Sequence, residues 1–393
     1  MKLRSKLPNT GVTIFTEMNN LAARYQAINM GQGFPDFSPD DRLIECVHEA
    51  LLGPHNQYAP MGGVPALREA IADKIDNLYG RRYDPELEIT VTSGATEALN
   101  STITALIHPG DEAIVIEPAY DLYAPVIRVA GGVPRYVQMT VPTAERPQFS
   151  VNWDAVESAI TPKTRIIILN FPNNPTGITI GQSDLDRVER IVNAHADILI
   201  LSDEAYEHIV FDGEDHLSLA GRPSLAERSI IISSFAKTFH VTGWKIGYCC
   251  APPHIMAEIR KVHQFTVFSV PTPLQVGLAQ YLNQYANTAL LSPFYQKKRD
   301  RLAKGLADTR FKSLYSAGTF FLLMDYSTLS GCSETEAARA LTEHHGVTAI
   351  PVSAFYDDPE SDKANHNLLR LCFAKQDPTI DATIDRLVNV ETL

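Results

Sequence analysis

The stretch Ser233 to Tyr248, SSFAKTFHVTGWKIGY, puts an amine, a hydroxyl and a second cation close together in the chain. Lys237 follows the β-branched apolar run Ile230-Ile231-Ile232, so it falls just past a buried strand, where a loop presents its amine to a cleft. Next to apolar surface an ammonium loses hydration and its pKa falls. The neutral amine is then free to condense with an aldehyde as a Schiff base. A lone Ser-x-x-Lys is more often a solvated surface lysine. Here Ser234, Lys245 and the following Gly247 add a hydroxyl and a point charge that suit one phosphate. The ligand this trio fits is an aldehyde that also carries phosphate.

Four further stretches carry chemistry. Thr92-Ser93-Gly94-Ala95-Thr96-Glu97 has the pattern of a strand end followed at once by a helix, whose free N–H groups favour an anion. Alone it is equally an ordinary Ser/Thr helix cap. Asp203 ends another apolar run, placed either to stabilise a protonated ring nitrogen or to cap a helix. Glu117-Pro118-Ala119-Tyr120-Asp121-Leu122-Tyr123 sets aromatic rings beyond a strand end, where one can stack on a flat ring or simply join the core. Arg370, flanked by Leu369 and Leu371, suits a desolvated clamp on a carboxylate, with a water-facing strand arginine as the alternative.

Positioning these groups calls for an alternation of strands and helices. Candidate strands are Ile89 to Thr92, Ala113 to Glu117, Arg165 to Asn170, Ile198 to Ser202, Ser229 to Ser233 and Lys245 to Ala251. Amphipathic helical stretches such as Leu99 to Ile107 and Asp184 to Ala194 lie between several of them. This predicts an α/β fold with a mainly parallel, doubly covered sheet and a ligand crevice at the carboxyl ends of its strands. Beyond Pro273 the pattern turns to long helices, Leu274 to Ala286 and Phe294 to Asp308, then short strands near Thr319 to Asp325 and Leu368 to Phe373. A connecting helix and a smaller α+β domain are expected there.

The 393 residues allow a large and a smaller domain with ample core. Hydrophobic residues at 45% and charged residues at 20% are ordinary for a soluble enzyme. The net charge of -12 argues against general nucleic-acid binding. Five cysteines without C-x-x-C spacing point to reduced thiols rather than metal or disulfide, and no long apolar run marks a leader or membrane span. The expectation is a cytoplasmic protein with no metal.

SSFAKTFHVTGWKIGY resembles the cofactor-lysine segment of the fold-type I, class I/II pyridoxal-phosphate aminotransferases, most of all the methionine and kynurenine (glutamine K) aminotransferases. The likeness runs from about Asn29 to Lys375, with several motifs in the family's order. It implies an aspartate aminotransferase-like fold: a large cofactor domain over 41–285 with a mainly parallel seven-stranded sheet, and a small domain made of 1–40 and 286–393. It implies pyridoxal 5'-phosphate, with Lys237 as the Schiff-base residue and Gly94, Ala95, Thr96, Ser234 and Lys245 on the phosphate. Asp203 would pair with the ring nitrogen, Tyr120 would stack on the ring, and Tyr206 and Asn174 would bond its phenolic oxygen. Arg370, Asn174 and the backbone of Gly33, within Asn29-Met30-Gly31-Gln32-Gly33-Phe34-Pro35, would hold the substrate. The side-chain pocket would take in Ile14, Phe15, Tyr123 and, across a homodimer, Phe268, while Tyr58 would reach the neighbouring subunit's phosphate. Most relatives have arginine where Lys245 stands, so a point charge here replaces a two-pronged grip.

The resemblance implies a ping-pong transfer of the amino group of methionine, aromatic or related neutral amino acids to a 2-oxo acid. No second arginine for a dicarboxylate is evident. Kynurenine aminotransferase or cysteine S-conjugate β-lyase activity is the alternative within enzymes. A non-catalytic cofactor-binding sensor is the remote one, since the resemblance begins near the first residue and the chain is acidic.

Overall fold

The computed structural model describes residues 4–8, 10–143 and 145–393. A seven-stranded sheet runs in the order Ile89–Thr92, Gly247–Cys250, Ser229–Ser234, Leu199–Asp203, Thr164–Asn170, Glu112–Glu117, Val133–Gln138. All pairings are parallel except those of Gly247–Cys250, which runs against both neighbours. The central strands are buried on both sides because both faces are covered. Ile167, Ile200, Ile231 and Cys250 join one core cluster, and their chain neighbours Ile166, Leu201, Ile230 and Cys249 join another on the opposite face. The side-chain period of two sends adjacent residues to opposite layers.

Strand register explains how separated motifs meet. Asn170 lies opposite Asp203 at the strands' carboxyl ends. Gly247 lies between Ser234 on one side and Thr92 on the other, so the two anion-binding stretches are joined by the one reversed strand. The helix Gly94–Leu106 springs directly from Thr92 and packs against Pro253–Thr266.

A second, four-stranded antiparallel sheet is ordered Ile350–Pro351, Leu368–Cys372, Phe321–Asp325, Lys312–Ser313. Arg370 sits within it, opposite Leu323 and Ile350. The short strand Ile28–Asn29 pairs with Val347–Thr348 beside this sheet, so an N-terminal segment is built in with C-terminal elements. A third core cluster, containing Met18, Met30, Phe311 and Leu371, fills this part of the molecule. Among the described residues no helix is long and apolar enough to cross a membrane.

One local expectation is corrected, and one strand lies outside the candidates read from sequence. Lys237 stands on a one-turn helix, Phe235–Thr238, rather than on an open loop. The strand Val133–Gln138 carries no continuous apolar run; it is a largely exposed sheet edge containing Pro134, a residue tolerated there because an edge leaves N–H groups unpaired.

Gly247 has no room for a side chain. A Cβ there would come within 2.8 Å of both the Ala95 nitrogen and the Ser233 oxygen, all rigid backbone. Gly247→Ala is therefore expected to lower stability by about 1–3 kcal/mol, read as a lower urea midpoint; an unchanged midpoint would show that the turn and strand can part freely.

Candidate active site

The carboxyl ends of the parallel strands, the turn at Gly94 and the four-stranded sheet enclose a cavity of about 330 Å³. Phe15, Gly33, Gly94, Ala95, Thr96, Tyr120, Asn174, Asp203, Tyr206, Ser234, Lys237, Lys245 and Arg370 all line it. Residues separated by more than 350 positions in the chain thus share one space.

Lys237 directs its amine toward the Gly33 carbonyl at 3.0 Å and lies 5.4 Å from the centre of the Phe320 ring. Burial lowers its pKa to about 8, with the positive charges of Arg370 and Lys245 pushing the same way. Behind the cavity, the buried Asp203 carboxylate accepts hydrogen bonds from the Tyr123 hydroxyl at 2.7 Å and the Ala205 amide at 3.2 Å. Burial raises its pKa to about 6. A positively charged ring nitrogen facing it would hold it ionised. Tyr206 lines the same wall, and burial lifts its phenol well above the ordinary value.

At one end of the cavity is an anion cradle. Gly94 takes a positive φ of 71°, and Lys245 a φ of 55°, which together bring the Lys245 amine to 3.0 Å from the Thr96 hydroxyl at the start of the helix. Ser234 is buried beside them. At the other end, Arg370 is almost wholly buried, with its guanidinium carbon 3.9 Å from the centre of the Phe321 ring and 5.0 and 5.3 Å from those of Phe355 and Phe15. Nη1 donates to Asn174 Oδ1 at 2.6 Å and Nη2 to the Gly31 carbonyl at 2.8 Å. Nε is buried without a partner among the described residues. Desolvation lowers the Arg370 pKa to about 10, so it remains a cation at neutral pH. A charged, desolvated guanidinium caged by three rings at the wall of a cavity suits a carboxylate.

The pocket therefore fits pyridoxal phosphate by its own chemistry: an anion cradle, a depressed amine, a buried carboxylate and an aromatic face at Tyr120 stand around one ring-sized space. Tyr123 departs from its expected place. It does not line the cavity but lies fully buried beneath Asp203, because its hydroxyl needs a partner and finds that carboxylate. Tyr58 and Phe268 do not line this chain's cavity either. They meet edge to face at 5.5 Å on the surface, 85% and 46% exposed. Ile14 lies at the start of the helix Ile14–Tyr25, against a neighbouring cleft.

Gln32, Leu99, Asp121, Asn170, Thr242 and Phe321 also line the cavity without having been assigned a role from sequence. Asn170 stands out in the sequence as a polar residue ending a candidate strand, though with no role given. Its amide donates to the Asp203 carbonyl at 3.1 Å and its oxygen accepts from the Asn174 amide at 3.1 Å, tying two expected residues together. Glu204, beside Asp203, points elsewhere and is held by Ser202 and His216 at 2.8 and 2.9 Å.

Two outcomes follow from this electrostatic arrangement. Capture of the cofactor by stripped protein should accelerate about tenfold per pH unit below pH 8, as Lys237 loses its proton, and level off above it; a rate still climbing toward pH 10.5, followed by absorbance, would mean an ordinary lysine. Lys245→Ala should weaken cofactor retention about tenfold or more, and unchanged affinity in a dialysis titration would remove Lys245 from the cradle.

Comparison with known proteins places this geometry. The family model for aminotransferase class I and II matches residues 25–387. The methionine aminotransferase of Escherichia coli is 46% identical over 385 residues, which cover 98% of this chain and 97% of the relative. Kynurenine–oxoglutarate transaminase 1 of mouse is 35% identical, with 95% and 94% covered. Among solved structures, an Escherichia coli protein identified with a methionine aminotransferase function superposes with a TM-score of 0.94 at 46% identity over 99% of both chains. The N-succinyldiaminopimelate aminotransferase of Mycobacterium tuberculosis superposes with a TM-score of 0.94 at 41% identity, covering 99% of this chain and 100% of that one. This chain belongs to the class I and II aminotransferases.

Proposed function

We propose that this enzyme moves the amino group of methionine, aromatic or related neutral L-amino acids to a 2-oxo acid in a ping-pong cycle. The observation that carries the proposal is the caged, partly unsatisfied Arg370 in the same cavity as the depressed Lys237 amine. It pairs a carboxylate receptor with a base. The names of the methionine and kynurenine relatives support the donor class.

Pyridoxal 5'-phosphate, the cofactor of this family, supplies when bound an electron-withdrawing ring that takes up the electron pair released at the substrate α-carbon. The Gly94–Ala95–Thr96 turn, Ser234 and Lys245 would hold its phosphate, Asp203 its ring nitrogen, and Asn174 and Tyr206 its phenolic oxygen, with Tyr120 on its face. Tyr123 fixes the Asp203 carboxylate through a 2.7 Å hydrogen bond, so that carboxylate enters the reaction already oriented. Arg370, at the cavity wall beside Asn174, binds the amino acid's α-carboxylate. Lys237 Nζ, neutral near pH 8, takes the α-proton. The aromatic wall of Phe15 and Phe321 excludes water from this transfer.

The cavity's charged lining supports neutral donors. Its cations are Lys237, Lys245 and Arg370, and each has a task, which leaves none among the described lining residues for a second substrate carboxylate. The exposed aromatic group Tyr58, Phe265 and Phe268 supports a homodimer in which Tyr58 and Phe268 reach the neighbouring site. Five unpaired cysteines support a cytoplasmic location.

L-Methionine should bleach the visible band of the loaded enzyme and a 2-oxo acid should restore it, with Lys237→Ala slowing the half-reaction about 10²–10⁴-fold. A band that responds to none of methionine, phenylalanine, glutamine and kynurenine would overturn the proposed donor class.

A further inference from the structure

Resting on the aminotransferase reading, one charged lining residue is still without a task. Once the residues for the cofactor, the α-carboxylate and the proton are set aside, the cavity wall retains Phe15, Gln32, Leu99, Asp121, Asn170, Ala205, Ala236, Thr242 and Phe321, of which only Asp121 is charged. Among the described residues no side chain hydrogen-bonds its carboxylate. The contacts that act on it are its own backbone amide and the positive charge of Arg370, and both oppose the rise in pKa that burial causes. Asp121 and Arg370 line the same cavity.

Asp121 and Tyr120 also line a neighbouring cleft with Ile14, Phe355 and Asp357, so Asp121 marks the boundary between the two spaces. The cleft is acidic. Its two arginines are already taken, Arg128 by Asp357 at 2.6 Å and Arg339 by Glu17. Glu117, Asp121 and Glu360, which also line it, have no basic partner among the described residues. Nearby, Gln32 is not available to balance that charge, since its side-chain amide donates to the Phe15 carbonyl at 3.2 Å.

We propose that Asp121 is a specificity-determining residue that turns away amino and oxo acids bearing a second carboxylate and receives side chains ending in a hydrogen-bond donor. A substrate anchored by its α-carboxylate on Arg370 has its side chain in the part of the cavity bounded by Phe15, Phe321 and Asp121. A distal carboxylate there meets a like charge in a poorly solvated space. A distal amide or aryl amine finds an acceptor that otherwise lacks a partner. Thioether and aromatic side chains rest on the phenylalanines and suffer no charge penalty. Exclusion is thus an active repulsion in addition to the missing second cation.

The test compares two isosteres that cannot react, glutarate and its monoamide, binding to the cofactor-loaded enzyme by calorimetry. The wild type should prefer the monoamide by at least about tenfold. In Asp121→Asn that preference should shrink to about threefold or less, chiefly because glutarate binds more tightly, and the ratio of kcat/KM for methionine over glutamate should fall in parallel. Asp121→Ser replaces the first variant if it fails to keep its visible band. Equal binding of the two ligands by the wild type, or undiminished preference in a folded variant, would overturn the proposal. So would a variant that weakens both ligands alike, since that marks a general positioning role. Bleaching of the band by methionine in the same wild-type preparation tests the aminotransferase reading separately.

Discussion

The structure is arranged around two cations held away from water. The Arg370 guanidinium lies among three phenylalanine rings, and the Lys237 amine lies at the floor of the same cavity. Burying such groups costs several kcal/mol each unless partners replace the lost hydration. The fold replaces it only in part. Gly31 and Gly33 offer one carbonyl to each cation, from positions two residues apart on a single strand of chain. Lys375 takes the Phe34 carbonyl next along at 2.9 Å. Arg370 Nε is left without any partner among the described residues. Both sheets must hold still for this balance to persist, since Lys237 follows the large one and Arg370 lies within the small one.

Much of the fold was legible because the parallel strands are apolar on both faces and short. Runs such as Ile230-Ile231-Ile232 stand out, and the polar residues that end them fall where the crevice forms. Asp203 and Ser234 were visible for that reason. The edge strand Val133–Gln138 was hidden because one side of it faces solvent and its sequence follows no buried pattern. Tyr123 was seen as an aromatic near a turn, but nothing local says whether such a ring turns toward the cavity or beneath a neighbouring carboxylate. That is decided by Asp203, eighty positions away. Phe321 was one apolar residue in an apolar strand, distinguished only by the guanidinium that packs on it. Tyr58 and Phe268 were singled out by motif, and their exposure on one chain is a property of the surface that sequence does not encode locally.

The charge of the protein is divided between scales. The whole chain carries -12, yet the cavity gathers Lys237, Lys245 and Arg370 against Asp203 and Asp121. Charges on the outer surface are screened beyond roughly 8 Å at physiological salt, whereas those within the cavity are not. An anionic ligand therefore experiences a mildly repulsive exterior and an attractive interior. The attraction is local, built from a few desolvated side chains and a helix start, and it selects for molecules small enough to enter.

The stretch from Gly31 to Phe34 has a consequence for the order in which the molecule is made. Its three cationic partners lie 204, 339 and 341 positions later in the chain. A ribosome emits the carbonyls long before the Arg370 guanidinium and the Lys375 amine, so the large sheet can gather its strands while the Arg370 side of the cavity has no wall. Contacts of such long range are the slowest to close. The wall of the cavity that Arg370 supplies is thus acquired well after Lys237, and a product truncated between the two would hold the lysine without the guanidinium that shares its cavity.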